Sequence, residues 1–113
     1  MKTKDYFPDI ITQHPTADIP VEGVTSHLVQ AGKQQFVFMH FDYNAEVPEH
    51  SHEAQWGIVL DGQMELTIAG QKRILKKGDT YFIDKDDRHS AKIKKGYTDL
   101  TLFNQADRYK IKK

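Results

Sequence analysis

Apolar residues in this chain recur in short runs, and several runs have a period of two. Met64, Leu66 and Ile68 fall on one face of residues 63–69, and Gln63, Glu65 and Thr67 fall on the other. Such alternation predicts a half-buried β-strand. Residues Gln35 to Asp42 (QFVFMHFD) are almost continuously apolar and aromatic, which predicts a buried strand. Further strands are expected over Val24–Gln30, Val47–His52, Gln55–Leu60, Lys72–Leu75, Thr80–Ile83, Arg88–Ile93 and Tyr97–Asn104. The basic segment Arg108–Lys113 is a candidate last edge strand, its lysines discouraging edge-to-edge pairing. Turn signals separate the strands at Ala31-Gly32-Lys33, Tyr43-Asn44-Ala45, Gly70, Gly78-Asp79 and Lys95-Gly96. Asp61-Gly62, between two apolar runs, reads as a two-residue hairpin turn. No stretch carries a convincing amphipathic helix. Short strands at this regular spacing predict an all-β sandwich or barrel of packed antiparallel sheets.

Pro8, Pro15 and Pro20 punctuate residues 1–20. Proline lacks an N–H and fixes φ, so this part is expected to be an irregular arm with at most a short helical turn. Ile10 and Ile11 within it are expected to pack against something. The remainder, residues 21–113, is expected to be one barrel domain, which suits 113 residues. Net charge is zero, but residues 1–70 hold three basic and ten acidic residues while residues 71–113 hold thirteen and six. Interleaved strands would mix these halves on one surface, so neither nucleic acid nor membrane is an expected partner. The absence of cysteine excludes disulfides, thiolate metal sites and cysteine nucleophiles. No apolar run approaches a membrane span or a signal-peptide core, and a cytoplasmic location is expected.

The chemistry concentrates in His50-Ser51-His52. Two histidines at i and i+2 of a strand share a face. Glu49 and Glu53, out of phase with them, should turn away. Gly78-Asp79 and His89 follow later in the chain.

In these residues the chain resembles the cupin superfamily of small jelly-roll β-barrels (double-stranded β-helices), and among them the small single-domain, cupin_2-like proteins. The first cupin motif reads roughly G-x5-H-x-H-x(3,4)-E-x6-G. His50 and His52 fill its histidine positions, and counting back from Gly62 puts Gln55 at the glutamate position. The second motif reads roughly G-x5-P-x-G-x2-H-x3-N. Gly78 opens it and His89 fills its histidine position. The chain departs from both: Asn44 stands at the first glycine, Asp84 at the proline, Asp86 at the second glycine, Ile93 at the asparagine. The resemblance covers about residues 34–104.

The resemblance implies a divalent metal held in the barrel lumen by His50, His52, Gln55 and His89. Nitrogen donors and an amide suit Zn, Fe, Mn, Ni or Cu better than Ca or Mg. A ligand set without a carboxylate leaves the metal's charge uncompensated and favours an anionic ligand. A small polar or anionic molecule is therefore the expected partner. His40, Gly57 and Met64 are further pocket positions, Gly57 because its missing side chain leaves room beside the metal. Trp56, facing the other way, is expected under the arm or in a dimer contact. Phe36, Phe38, Tyr81, Phe82 and Phe103 are expected to be mostly core. His14 and His27 lie outside the motifs. Metal-dependent dioxygenase, isomerase and lyase activities are all compatible with such a site, and so is non-catalytic binding or sensing of a sugar-acid-like ligand. A homodimer is expected, with the arm reaching across a two-fold axis.

Overall fold

The computed structural model describes residues 6–112. Nine strands form two antiparallel sheets: β1 (Val24–Ala31), β2 (Gln34–Phe41), β3 (Ala45–His50), β4 (Gln55–Asp61), β5 (Gln63–Ile68), β6 (Gln71–Lys76), β7 (Thr80–Ile83), β8 (His89–Ile93) and β9 (Thr98–Phe103). One sheet has the order β1-β2-β9-β4-β7 and the other β3-β8-β5-β6. The sheets face each other as a jelly-roll barrel. Inward side chains fill the space between them, among them Val37, Met39 and Phe41 from β2, Val59 from β4, Met64 and Leu66 from β5, Leu75 from β6 and Phe103 from β9. The period-two pattern produced this inner face directly, since alternate side chains of each strand point to one side.

One turn differs from its expected role. Asp61-Gly62 is not a hairpin. β4 and β5 belong to different sheets, so the dipeptide carries the chain around a barrel corner. Only Gly62 of the pair has positive φ, +76°, and a Cβ on it would sit 2.7 Å from the Tyr97 Cα. Glycine is required there by conformation and by backbone contact. The two-residue hairpin of that region is Ala69-Gly70, with φ of 49° and 80°, joining β5 to β6 at the Ile68–Gln71 pair. Both central residues at positive φ is the arrangement matched to strand twist.

The segment Arg108–Lys113 is not an edge strand. Its contribution is one bridge, Ala17 to Ile111, flanked by hydrogen bonds from Asp18 N to Lys110 O and from Lys112 N to Thr16 O, both 2.8 Å; Lys113 lies outside the described residues. Its anchor is Gln35, which is buried in β2. The Gln35 amide nitrogen donates to Ala106 O and Tyr109 O, each at 3.0 Å, and its oxygen accepts from Tyr109 N at 3.1 Å. The arm holds one four-residue helix, Asp9–Thr12. Phe7 is buried edge-on to Phe38 and His27. Ile10 stays 71% exposed, against expectation, and so does Phe82 at 57%. No described helix is long and apolar enough to cross a membrane.

Candidate metal centre

β3 ends at His50, two residues earlier than expected, and its pairing with β8 shifts between Val47 and His50, where Pro48 interrupts the ladder. His52 therefore lies beyond the strand. Its approach to His50 comes from the 51–54 loop and not from strand alternation. That loop is tied down by Asp86 N donating to His52 O at 3.0 Å and by Asn104 N donating to Ala54 O at 2.9 Å. His89 opens β8 directly opposite His50. Ring centroids are 4.2 Å apart for His50–His89, 4.8 Å for His52–His89 and 5.1 Å for His50–His52.

The tautomers of all three imidazoles follow from their partners. Nδ1 of His50 meets Pro48 O at 2.9 Å, Nδ1 of His52 meets Glu53 O at 2.7 Å, and Nδ1 of His89 meets Asp87 O at 2.9 Å. A carbonyl can only accept, so each Nδ1 carries the proton and each Nε2 keeps a lone pair. Nε2 of His52 and Nε2 of His89 stand 3.2 Å apart. Two lone pairs at that distance repel unless a cation lies between them. Metal–nitrogen bonds of about 2.1 Å at angles of roughly 90–109° put ligand nitrogens about 3.0–3.4 Å apart. The pair thus already has the spacing of two ligands of one ion. Ligand nitrogens of all three histidines lie within 4.8 Å of one another, and this is the one such cluster of histidine, aspartate and glutamate among the described residues.

Burial holds the His52 and His89 imidazoles neutral. It lowers the His52 pKa to about 4, with the nearby Arg108 guanidinium and the other two histidines adding to the shift against the opposing Glu53 carbonyl. Burial likewise lowers His89, and the His50 and Arg108 charges act in the same direction. Neutral imidazole is the metal-binding form.

The centre opens into a cavity of about 300 Å³ between the sheets, with apolar walls that include Met39, Met64, Leu66 and Ile93. Met64 and Gln55 line it. Gln55 opens β4, and its Nε2 lies 3.4 Å from the Tyr81 hydroxyl. His40 does not join them: it is outside this lining, on the other face of β2, stacked on Tyr6 with ring centroids 3.3 Å apart and bonded to Thr98 Oγ1 at 2.7 Å. Gly57 supplies no room beside the metal. The Tyr81 ring occupies the space, so that a Cβ at 57 would lie 2.3 Å from its Cζ. Glu49 and Glu53 turn outward to Arg88 (3.3 Å) and Lys85 (3.6 Å).

Two features of the cavity went unread in the sequence. Arg108 lines it from the C-terminal segment. Its guanidinium lies 4.3 Å from the Tyr109 ring centroid and 5.5 Å from that of Phe103, and its Nε is buried without a partner. Its position in a lysine-rich tail disguised it as a surface charge. Asp99 lines the cavity from β9, with the Tyr81 and Tyr97 hydroxyls donating to Oδ2 at 3.2 and 2.7 Å. Burial pushes the Asp99 pKa up to about 7 against the opposing effect of these two donors. The alternation of β9 alone placed Asp99 with Thr101 and Phe103, which was the available signal.

A cupin domain model matches residues 37–102. Among solved structures, an RmlC-like cupin from Shewanella frigidimarina NCIMB 400 superposes with a TM-score of 0.73 at 21% identity, covering 96% of each chain. KdgF from a Halomonas species superposes with a TM-score of 0.71 at 23% identity, covering 93% of this chain and 97% of that one. Oxalate decarboxylase from Bacillus subtilis, a protein with Mn(II) centres, superposes with a TM-score of 0.69 at 20% identity, over 86% of this chain and 29% of its own. Among curated proteins, none is similar enough in sequence to match.

Proposed function

The chain belongs to the cupin domain family, and from that premise we propose that it binds a divalent transition metal through His50, His52, His89 and Gln55 and holds a small polar or anionic molecule at that centre. One observation carries the reading. Three imidazoles have Nδ1 committed to backbone carbonyls and ligand nitrogens within 4.8 Å of one another, with Nε2 of His52 and His89 3.2 Å apart, in an apolar cavity. Nitrogen-rich ligation suits Zn, Fe, Mn, Ni or Cu. When bound, such an ion polarises a ligand oxygen. The chain's own residues favour an anion beside it: the ligand set has no carboxylate, and Arg108 brings a cation with an unmatched donor to the same cavity. The likeness in fold to oxalate decarboxylase, a protein with Mn(II) centres and named for a small oxyanion, is in keeping with this class of ligand.

Metal content tests the centre. Protein purified without added metal is expected to carry a substantial fraction of an equivalent, and a His50→Ala/His52→Ala variant almost none. Less than about a tenth of an equivalent in the native chain would overturn the reading. Turnover of dicarbonyls, sugar acids and phenols under air and under nitrogen then separates the chemistries. An oxygen-dependent product selects an oxygenase, an oxygen-independent one an isomerase or lyase, and binding without turnover a sensor.

The outer face of the five-stranded sheet completes the proposal. Trp56 and Phe82 are register neighbours on β4 and β7, exposed by 40% and 57%, with Leu60 nearby on β4 at 38%. A contiguous apolar surface of this kind suits a second copy of the chain. Light scattering is expected to give a dimeric mass, and a monomer would contradict it.

A further inference from the structure

Building on the metal-centred reading above, we propose that Asp99 recognises a hydrogen-bond donor at the far end of the bound molecule, so that the ligand is a short oxyanion carrying a hydroxyl or amino group about 6 Å from its charged end. The argument begins with the place of Asp99 in the fold. β9 is the middle strand of its sheet, and Asp99 sits between Met39 of β2 and Val59 of β4, 2% exposed. An acidic residue at such a position needs both carboxylate oxygens matched. Only one is. The hydroxyls of Tyr81 and Tyr97 both donate to Oδ2, while Oδ1 is buried without a partner. Both phenols are held well above their ordinary pKa, first by burial and then by the neighbouring Asp99 charge, so they remain donors. A carboxylate serving only to brace two tyrosines would have no reason to keep its second oxygen unmatched in the wall of a cavity.

The same cavity supplies the other end. Gln55, at the metal centre, lies 3.4 Å from the Tyr81 hydroxyl, which in turn lies 3.2 Å from Asp99 Oδ2. Two hydrogen bonds in succession through the Tyr81 hydroxyl thus link Gln55 to the carboxylate, which sets a span of about 6 Å between the two ends of the site. Gly57 makes this relay fit, because any side chain there would displace the Tyr81 ring. A molecule with its oxyanion at the metal and Arg108, and its donor on Asp99 Oδ1, fills both unmatched positions of the cavity.

Three acids of equal length test this: pentanoate, 4-hydroxybutyrate and 4-aminobutyrate. Each is titrated calorimetrically into metal-loaded protein after its metal content has been measured. The native chain is expected to bind one of the two donor-bearing acids at least about tenfold more tightly than pentanoate, because an unmatched polar group in the site penalises the methyl. Which of the two binds tighter identifies hydroxyl or amine. In Asp99→Asn the amide oxygen still accepts from the tyrosines but the amide nitrogen meets the ligand donor. There the preference is expected to fall below about twofold. Equal affinity for all three acids in the native protein, or failure to bind any of them, overturns the inference without recourse to a variant. A preference that survives in folded Asp99→Asn overturns Asp99 as its source. Metal uptake reports the centre alone, so a metal-free native chain refutes the preceding function and a metal-loaded chain without preference refutes only this one.

Discussion

His89→Ala is expected to abolish the thermal stabilisation that added metal gives the native chain. An ion that binds only the folded state stabilises by about 2.7 kcal/mol at a hundred times its Kd, which for a domain of this size raises Tm by roughly 10–20 °C. His89 is the most buried member of the cluster, at 5% exposure, and its Nε2 faces that of His52 at 3.2 Å. Removing it leaves two imidazoles and an amide, too few to hold the ion tightly. Truncation also costs stability through the cavity it leaves, so the informative quantity is the gain on adding metal within each protein. Scanning calorimetry with and without Zn or Mn measures it. An equal gain in the native chain and in His89→Ala would remove His89 from the ligand set.

Asp99→Asn is expected to be more stable than the native chain at pH 8 and to lose that advantage on acidification. The Asp99 pKa rises from 3.8 unfolded to about 7 folded. A carboxyl whose folded pKa is raised binds more protons in the native state. Its contribution is therefore fully present below about pH 4 and is lost as pH rises toward 7. Between pH 5 and pH 8 the native chain should lose about 3 kcal/mol relative to Asp99→Asn, an order-of-magnitude figure from about two pKa units. The histidines act in the opposite direction. His52 has a folded pKa of about 4 against 6.5 unfolded, so its contribution is present above pH 6.5 and is lost as pH falls toward 4. The histidine effect is common to both proteins and cancels in the difference. Urea denaturation of the metal-free proteins at pH 5 and pH 8 checks it, and a stability difference that does not change with pH would contradict it.

The two-sheet fold was legible because alternation and glycine placement are local signals. Met64, Leu66 and Ile68 announced an inner face, and β7 falls over Thr80–Ile83 as expected. What alternation cannot report is which strands pair. Asp61-Gly62 therefore looked like a hairpin and proved to be a corner, while Ala69-Gly70, with a less distinctive first residue, made the hairpin. The histidine pair was legible, but the reason for its convergence was not, since it depends on the Pro48 irregularity and on a loop tied to Asp86 and Asn104. His40 shares an apolar strand with lumen residues, and its phase, one residue off Met39 and Phe41, sent it to the outer face. Arg108 and Asp99 needed the tertiary structure. One reaches the cavity because Gln35 pins residues 106–109, and the other because Tyr81, from another strand, joins its near neighbour Tyr97 on its carboxylate.

The order of strands has a consequence for how the chain comes into being. β9, the last strand made, lies between β2 and β4. During synthesis those two strands must wait with open edges until residue 103 has left the ribosome, since neither can pair across the gap without it. Folding is then governed by contacts distant in sequence, which places it in the millisecond-to-second range, and the waiting edges are the stretch of its life most open to association with other chains. A ribosome-stalled chain that ends before β9 should remain protease-sensitive along its whole length, whereas one in which β9 has emerged should close the barrel and become resistant.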